Sequence, residues 1–370
     1  MNPQQIRESN QMRIGIIGLP ASGKSTVYGL LTHGQPSHQA GQLGEASIAV
    51  VKVPDPRLER LALMFTPKKV TPASVELVDF APLVKESGKP TSAGTQLLPQ
   101  MRQSTALLMV VRAFKDERVP HIEGRVDPAK DAATLWAELV LADLDVVEKR
   151  IARIEEAFRK GKKGESQQEL ALLKRCYTAL QEEQPLRGMS LTAEEERLLR
   201  GFQFLTAKPS LVVVNTDEEG GGDLGILEAI PALGTSQPAS IAVPAKLELE
   251  LADLPPDEAG TFRTELGLEA SAAPRLRQAC YDLLGVMTFF TVGSDEVRAW
   301  TIPLGATALQ AAGAIHSDLA QGFIRAEVVA YEALIRCGSL AATRHEGSFR
   351  LEGKDYRVVD GDIMTIRFNV

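Results

Sequence analysis

Three cysteines in 370 residues, at positions 176, 280 and 337, are too few, too scattered and odd in number for a disulfide framework or a zinc site. The five histidines also stand apart, and no Ser/His/Asp or Cys/His arrangement can be read from spacing. Nucleophilic catalysis therefore has no support here. No apolar run approaches the roughly 20 residues a membrane span requires, and the opening MNPQQIRESNQMR has no apolar core of signal-peptide type. A reducing cytoplasm fits this opening and the scattered cysteines. There is no internal repeat at a solenoid period and no low-complexity tail. A net charge of −7 gives the chain as a whole no attraction for nucleic acid, so any RNA contact would need a local basic patch.

What is present is globular in proportion, with 44% hydrophobic and 24% charged residues, and the length exceeds what one core usually serves. Short Val/Ile/Leu-rich runs recur at Arg13–Gly18, Val75–Asp79, Leu107–Arg112, Ser210–Asn215 and Ala239–Val243. They barely alternate, as strands buried on both faces of a parallel sheet do, so an α/β domain is expected. Between the third and fourth runs, Trp136, Val140, Leu144, Val147, Ile151, Ile154 and Phe158 recur at three- and four-residue steps. This spacing predicts one long amphipathic helix. After the Gly161–Gly164 break, Leu170, Leu173, Tyr177 and Leu180 repeat the pattern, predicting a coiled-coil-like helical hairpin inserted into the sheet domain. Thr192 with Glu195 has capping-box spacing and starts a further helix. The last unit reads as strands at Phe289–Val292 and Val297–Thr301, a helix at Ala306–Ala320, then strands at Glu327–Ala330, Tyr356–Val359 and Ile363–Asn369. That order suggests a β-grasp module. The expected boundaries are 11–128 with 206–285 for the sheet domain, 129–205 for the hairpin and 286–370 for the β-grasp.

Gly18-Leu19-Pro20-Ala21-Ser22-Gly23-Lys24-Ser25 matches G-x-x-x-x-G-K-[ST], directly after a strand-like run and ahead of a stretch from Ser25 that can open a helix. Glycines let backbone N–H groups close around phosphate oxygens at a helix N-terminus, Lys24 would reach the β/γ-phosphates, and the Ser25 hydroxyl would ligate Mg²⁺. Asp79, ending the second run, is placed to hold Mg²⁺ through water; an ordinary strand-end Asp is the bland alternative.

With these elements, GLPASGKST at Gly18–Thr26, PDPRL at Pro54–Leu58, LADLDVVEKRI at Leu141–Ile151 and the run from Val297 to Val328 make the chain resemble the YchF family of Obg-like ATPases over nearly its full length. The family belongs to the TRAFAC-class P-loop NTPases and carries a C-terminal TGS domain. The resemblance implies that the β-grasp module is a TGS domain and that ATP (or ADP) is the ligand, with Asn215 and Glu218 standing where related GTPases place the guanine-reading N-K-x-D. An acidic loop over Asn215–Glu219 is the plainer alternative there. Pro244-Ala245-Lys246 falls at the place of the last base-side loop. The resemblance also implies a ribosome or RNA partner, reached through the hairpin and the TGS domain; no membrane partner is expected, and the chain is expected to be monomeric. Arg159, Lys160, Lys162 and Lys163 at the expected hairpin tip would meet phosphates, or are solvated surface.

The departures fall on switching. Where the superfamily has D-x-x-G, this chain has Asp79-Phe80-Ala81-Pro82, and proline has no N–H to give a γ-phosphate. From His33 to Phe65 there is no threonine; the family position falls near Leu43, and Ser47 is the only close hydroxyl. The Gly-rich run expected after the second switch is replaced by Glu86–Gly94, and Leu83 stands where a water-orienting Gln would act. Lys24 and Asp79 remain as candidate catalytic residues. Four readings stay open: a slow ATPase, a nucleotide-binding interaction protein that does not hydrolyse, a GTPase, and a small-molecule kinase. The last lacks any evident lid or second-substrate arginine cluster.

Overall fold

The structure is a computed structural model that describes residues 12–33, 37–38, 47–82, 92–121, 124–161, 166–218, 239–268 and 271–369. Leu43, Leu83, Glu86, Lys162 and Lys163 therefore lie outside the described residues. The chain begins β1 (Arg13–Gly18), α1 (Lys24–Thr32), β2 (Ser37–His38), β3 (Ser47–Lys52), α2 (Pro56–Phe65), β4 (Lys69–Thr71), β5 (Ser74–Asp79). It continues α3 (Ser92–Arg102), β6 (Ala106–Arg112), α4 (Pro128–Arg159), α5 (Gln167–Gln181), α6 (Ala193–Leu199), β7 (Ser210–Asn215), β8 (Ala239–Val243). After α7 (Ala245–Ala252), α8 (Pro256–Glu265) and α9 (Ala272–Leu283) come β9 (Val286–Thr291), β10 (Glu296–Pro303), α10 (Ala308–Ile315) and α11 (Ser317–Gln321). The last elements are β11 (Phe323–Ala330), α12 (Tyr331–Cys337), α13 (Leu340–His345), β12 (Arg350–Glu352) and β13 (Asp362–Phe368).

Two compact units form, one from Met12–Val50 with Glu76–Leu276, the other from Val51–Val75 with Arg277–Val370. A seven-stranded sheet runs β2-β3-β5-β1-β6-β7-β8. All five expected strands are in it, and β5, β1, β6, β7 and β8 pair in parallel in that order. Every residue of β6 and β7 is buried, as their unbroken apolar character requires of strands covered on both faces.

Between β6 and β7 the chain makes the helical hairpin. Asp127 caps α4 by accepting from Lys130 N, and Pro128 occupies the first turn, where its missing N–H costs nothing. At about 1.5 Å per residue, the 32 residues of α4 span about 48 Å. Trp136, Val140, Val147 and Ile154 are buried against Leu172, Leu173, Cys176 and Leu180 of α5, while Leu144, Ile151 and Phe158 are half-buried beside them. The helical period thus builds one continuous apolar seam. Asp143 on α4 is fully buried and accepts from Arg102 Nη1 at 2.7 Å, Leu205 N at 3.1 Å and Thr206 N at 2.8 Å. That carboxylate fixes the long helix to the segment re-entering the sheet. The Thr192–Glu195 capping box is present at the start of α6. Among the described residues no helix is long and apolar enough to cross a membrane.

The second unit holds a six-stranded sheet in the order β12-β11-β13-β9-β10-β4. β13 runs parallel to β9 between antiparallel neighbours, which is the β-grasp arrangement, and Met287, Phe289, Ile302, Ala311, Val328 and Met364 form its core. Sequence reading differs from the structure at several points, β4 among them, which was not expected as a strand. Tyr356–Val359 is not a strand: Asp362 accepts from Val359 N at 2.9 Å and from Tyr356 Oη at 2.8 Å, so a side chain takes the N–H that a ladder would use. The helix expected at Ala306–Ala320 breaks at His316, whose extended backbone (φ −162°) ends α10 and caps α11. α12, α13 and β12 were not legible as elements, being seven, six and three residues long.

Candidate functional site

β1 delivers the chain into a tight loop at Leu19–Gly23, and α1 opens immediately behind it. The loop closes through Ser22 N donating to Leu19 O at 3.2 Å, with Ala21 in the left-handed region at φ 61°. Glycine is required at both ends of the motif. A Cβ on Gly18 would stand 2.7 Å from Ser22 Oγ and 3.0 Å from Val110 O, and Gly23 has φ +79° with Asn215 Nδ2 2.0 Å from where its Cβ would be. The first turn of α1 has no side-chain cap, so its N–H groups are not taken by one. That is the geometry of an anion cradle at the positive end of a helix dipole.

Lys24 is 8% exposed, and its ammonium donates to the Asp79 carboxylate at the end of β5. Parallel pairing of β1 with β5, Ile16 opposite Asp79, carries that carboxylate to the edge of the loop. Burial, with the charge of Asp79 adding, pushes the Tyr28 hydroxyl above its ordinary pKa. Ser25 is exposed and Thr26 half-buried at the start of α1.

Asn215, at the end of β7, is buried; its Nδ2 donates to Ser22 O at 3.1 Å and its Oδ1 accepts from Ala245 N at 3.2 Å. One side chain thereby joins the loop after β1 to the turn after β8. Pro244-Ala245-Lys246 and the P-loop, far apart in sequence, meet through it. Glu218 sits exposed in the turn that follows. Gly18 to Thr26, Asp79 and Asn215 are thus brought into one site, with Glu218 three residues along from its rim. Pro82 is half-buried just past β5, and Ser47 begins β3.

Sequence reasoning missed three residues here. Phe114 Cε1 lies 3.5 Å from the Cβ position of Gly23, and the buried Arg112 guanidinium covers the Phe114 ring at 4.4 Å. Arg112 Nε and Nη2 donate to Phe114 O and Asp116 O, Nη1 has no partner, and burial lowers its pKa. Thr216 Oγ1 is also buried without a partner, as is Ser22 Oγ in the loop itself. An arginine closing an otherwise apolar strand was the available signal.

The donor set fits a nucleotide phosphate with Mg²⁺. A phosphate would meet the loop N–H groups, the unpartnered Ser22 hydroxyl and the Lys24 ammonium. Ser25 and Asp79 carry oxygen donors of the hard kind that Mg²⁺ prefers.

A family model described as YchF-GTPase_C, protein of unknown function (DUF933), matches residues 286–369. A protein of Escherichia coli O157:H7 named ribosome-binding ATPase YchF is 40% identical over 97% of this chain and 99% of its own length. One of the same name from Bacillus subtilis (strain 168) is 40% identical over 96% of this chain and 99% of its own. The solved structure of the Schizosaccharomyces pombe YchF GTPase superposes with a TM-score of 0.82 at 28% identity, covering 97% of this chain and 98% of that one.

Proposed function

Because this chain belongs to the YchF family of nucleotide-binding P-loop proteins, we propose that it binds ATP with Mg²⁺, hydrolyses it slowly, and couples its nucleotide state to a partner such as the ribosome in the cytoplasm. The observation that carries this reading is the Lys24–Asp79 pair at the mouth of the glycine loop. The two opposite charges neutralise each other. A phosphate in the loop would compete for the Lys24 ammonium, and the Asp79 carboxylate would then be available to help hold Mg²⁺. Bound Mg²⁺ supplies neutralisation of the phosphate charge. The protein's own part would be to orient: loop N–H groups and Lys24 would hold the phosphates and Ser25 and Asp79 the metal, while Asn215 ties the loop to the turn after β8.

Slow turnover follows from what the chain lacks. Phosphoryl transfer depends almost wholly on positioning and electrostatic stabilisation. Pro82 offers no N–H to the γ-phosphate, and no threonine precedes Phe65 in the first switch stretch. The same two losses favour a second reading, a protein that holds nucleotide without hydrolysing it and acts through its hairpin and TGS domain. For the base, Glu218 is one methylene longer than the aspartate that forks to guanine, which favours ATP. The S. pombe relative is nonetheless named a GTPase.

Calorimetric titration of ADP, a non-hydrolysable ATP analogue and GTP, with and without Mg²⁺, into wild type and Lys24→Ala tests this. Mg²⁺-dependent binding of the adenine nucleotides, weaker GTP binding and loss of all of it in Lys24→Ala are expected. Tighter GTP binding would make the chain a GTPase-type binder, and undiminished binding by Lys24→Ala would remove the P-loop from the account. Single-turnover hydrolysis then separates the slow ATPase from the non-hydrolysing protein.

A further inference from the structure

The chain between the two stretches expected to sense nucleotide makes an excursion. It leaves the seven-stranded sheet at Lys52, the end of β3, and returns in β5, which ends at Asp79. In between, α2 and β4 belong to the unit of the C-terminal sheet. β4 is an edge strand of that sheet: it pairs in parallel with β10, Lys69 opposite Glu296 and Thr71 opposite Arg298, and Thr71 Oγ1 donates to Glu296 at 2.5 Å. At the other end of the excursion, Asp55 caps α2 and receives Arg57 Nη2 at 2.9 Å. Arg57 Nη1 reaches on to Asp360 at 2.5 Å, and the other Asp360 oxygen accepts from Thr288 N at 2.8 Å. The guanidinium stands 5.3 Å from the centroid of the Phe290 ring. A cavity of about 430 Å³ borders this latch, lined among others by Asp55, Arg57, Tyr281, Asp282 and Asp360.

We propose that the excursion reports occupancy of the nucleotide site to the C-terminal sheet, with the Arg57–Asp360 ion pair as its latch. The proposal rests on the nucleotide-binding reading above and adds its regulation. Phosphate draws Lys24 from Asp79, the last residue of β5, and β3 and β5 are the covalent ends of the excursion. A shift in either strand pulls on α2 and β4, and the flexible Arg57 side chain is what ties α2 to Asp360. Packed interiors resist such movement, but the cavity leaves Arg57 room to swing away. Because Pro82 cannot read a γ-phosphate, ADP and ATP send the same signal; occupancy is what is transmitted. Linkage makes the effect reciprocal, so a partner that opens the latch from the C-terminal sheet changes nucleotide affinity by the same factor.

Hydrogen exchange on the full chain, nucleotide-free, with Mg-ADP and with the Mg-bound ATP analogue, beside Asp360→Asn, is the test. Amides of residues 69–71 and 294–298 are expected to change exchange rate severalfold between free and bound, equally for the two nucleotides. In Asp360→Asn that response disappears, and the ADP Kd shifts about fivefold, at the low end of typical coupling. Identical exchange free and bound, while calorimetry registers binding, overturns the coupling. A response to the ATP analogue alone overturns the occupancy signal, because γ-phosphate sensing would then have survived. No nucleotide binding at all removes the functional reading on which the proposal stands.

Discussion

Asn215 Nδ2 donates to the Ser22 carbonyl at 3.1 Å while its Oδ1 accepts from Ala245 N at 3.2 Å, so one buried amide closes the phosphate loop against the turn after β8. Asn215→Ala leaves a buried carbonyl and a buried N–H unpaired, a loss of about 1–3 kcal/mol each where water does not enter. Nucleotide affinity is expected to fall about tenfold or more with the overall fold retained, measured by calorimetry beside circular dichroism. Unchanged affinity would mean that the loop keeps its shape without this bond.

Pro82 is the departure whose repair is most direct. Pro82→Gly returns an N–H to the position where D-x-x-G proteins hold a γ-phosphate, and frees φ there. The ratio of ADP Kd to ATP-analogue Kd is expected to rise severalfold over wild type. A ratio that stays put would show that the proline is not what limits sensing.

Asp143 is fully buried with Arg102 and two backbone N–H groups on its oxygens. Removing one partner of a buried ion pair typically costs about 3–5 kcal/mol, because the other charge is stranded. Asp143→Ala is therefore expected to lower the denaturation midpoint far more than the exposed pair partner Lys149→Ala, whose side chain is 75% exposed. Equal shifts would deny the carboxylate its role at the base of the hairpin.

Burial pushes the Cys176 thiol from its ordinary 9.0 up to about 11. The folded state then holds this proton over a range where the unfolded chain has released it. The associated stability is present below pH 9.0 and is lost as pH rises towards about 11. Two pKa units correspond to about 2–3 kcal/mol as an upper bound. The urea midpoint of wild type should fall more steeply than that of Cys176→Ala across this window. Parallel curves would show that the thiol ionises as freely folded as unfolded.

Much of this protein was legible along one dimension. The five parallel strands declared themselves because strands covered on both faces have no polar alternation to confuse them, and α4 did so because its apolar residues keep step with the helical turn from Trp136 to Phe158. The glycine loop was legible because close backbone approach and a left-handed φ leave few residue choices. Asp79 was readable as the end of a strand, and Asn215 likewise. Other features depend on distances between parts remote in sequence. Only the folded chain brings Phe114 against Gly23, closes the Ser22–Asn215–Ala245 bridge, and turns Asp362 on Val359 N so that no strand forms there. A three-residue strand such as β4 has too little pattern to announce itself, and its pairing with β10, 227 positions away in the Lys69–Glu296 register, is decided by the partner edge it meets. Local propensity acts over a few neighbours, whereas hydrogen bonds and burial act on whatever the tertiary fold puts within a few ångströms.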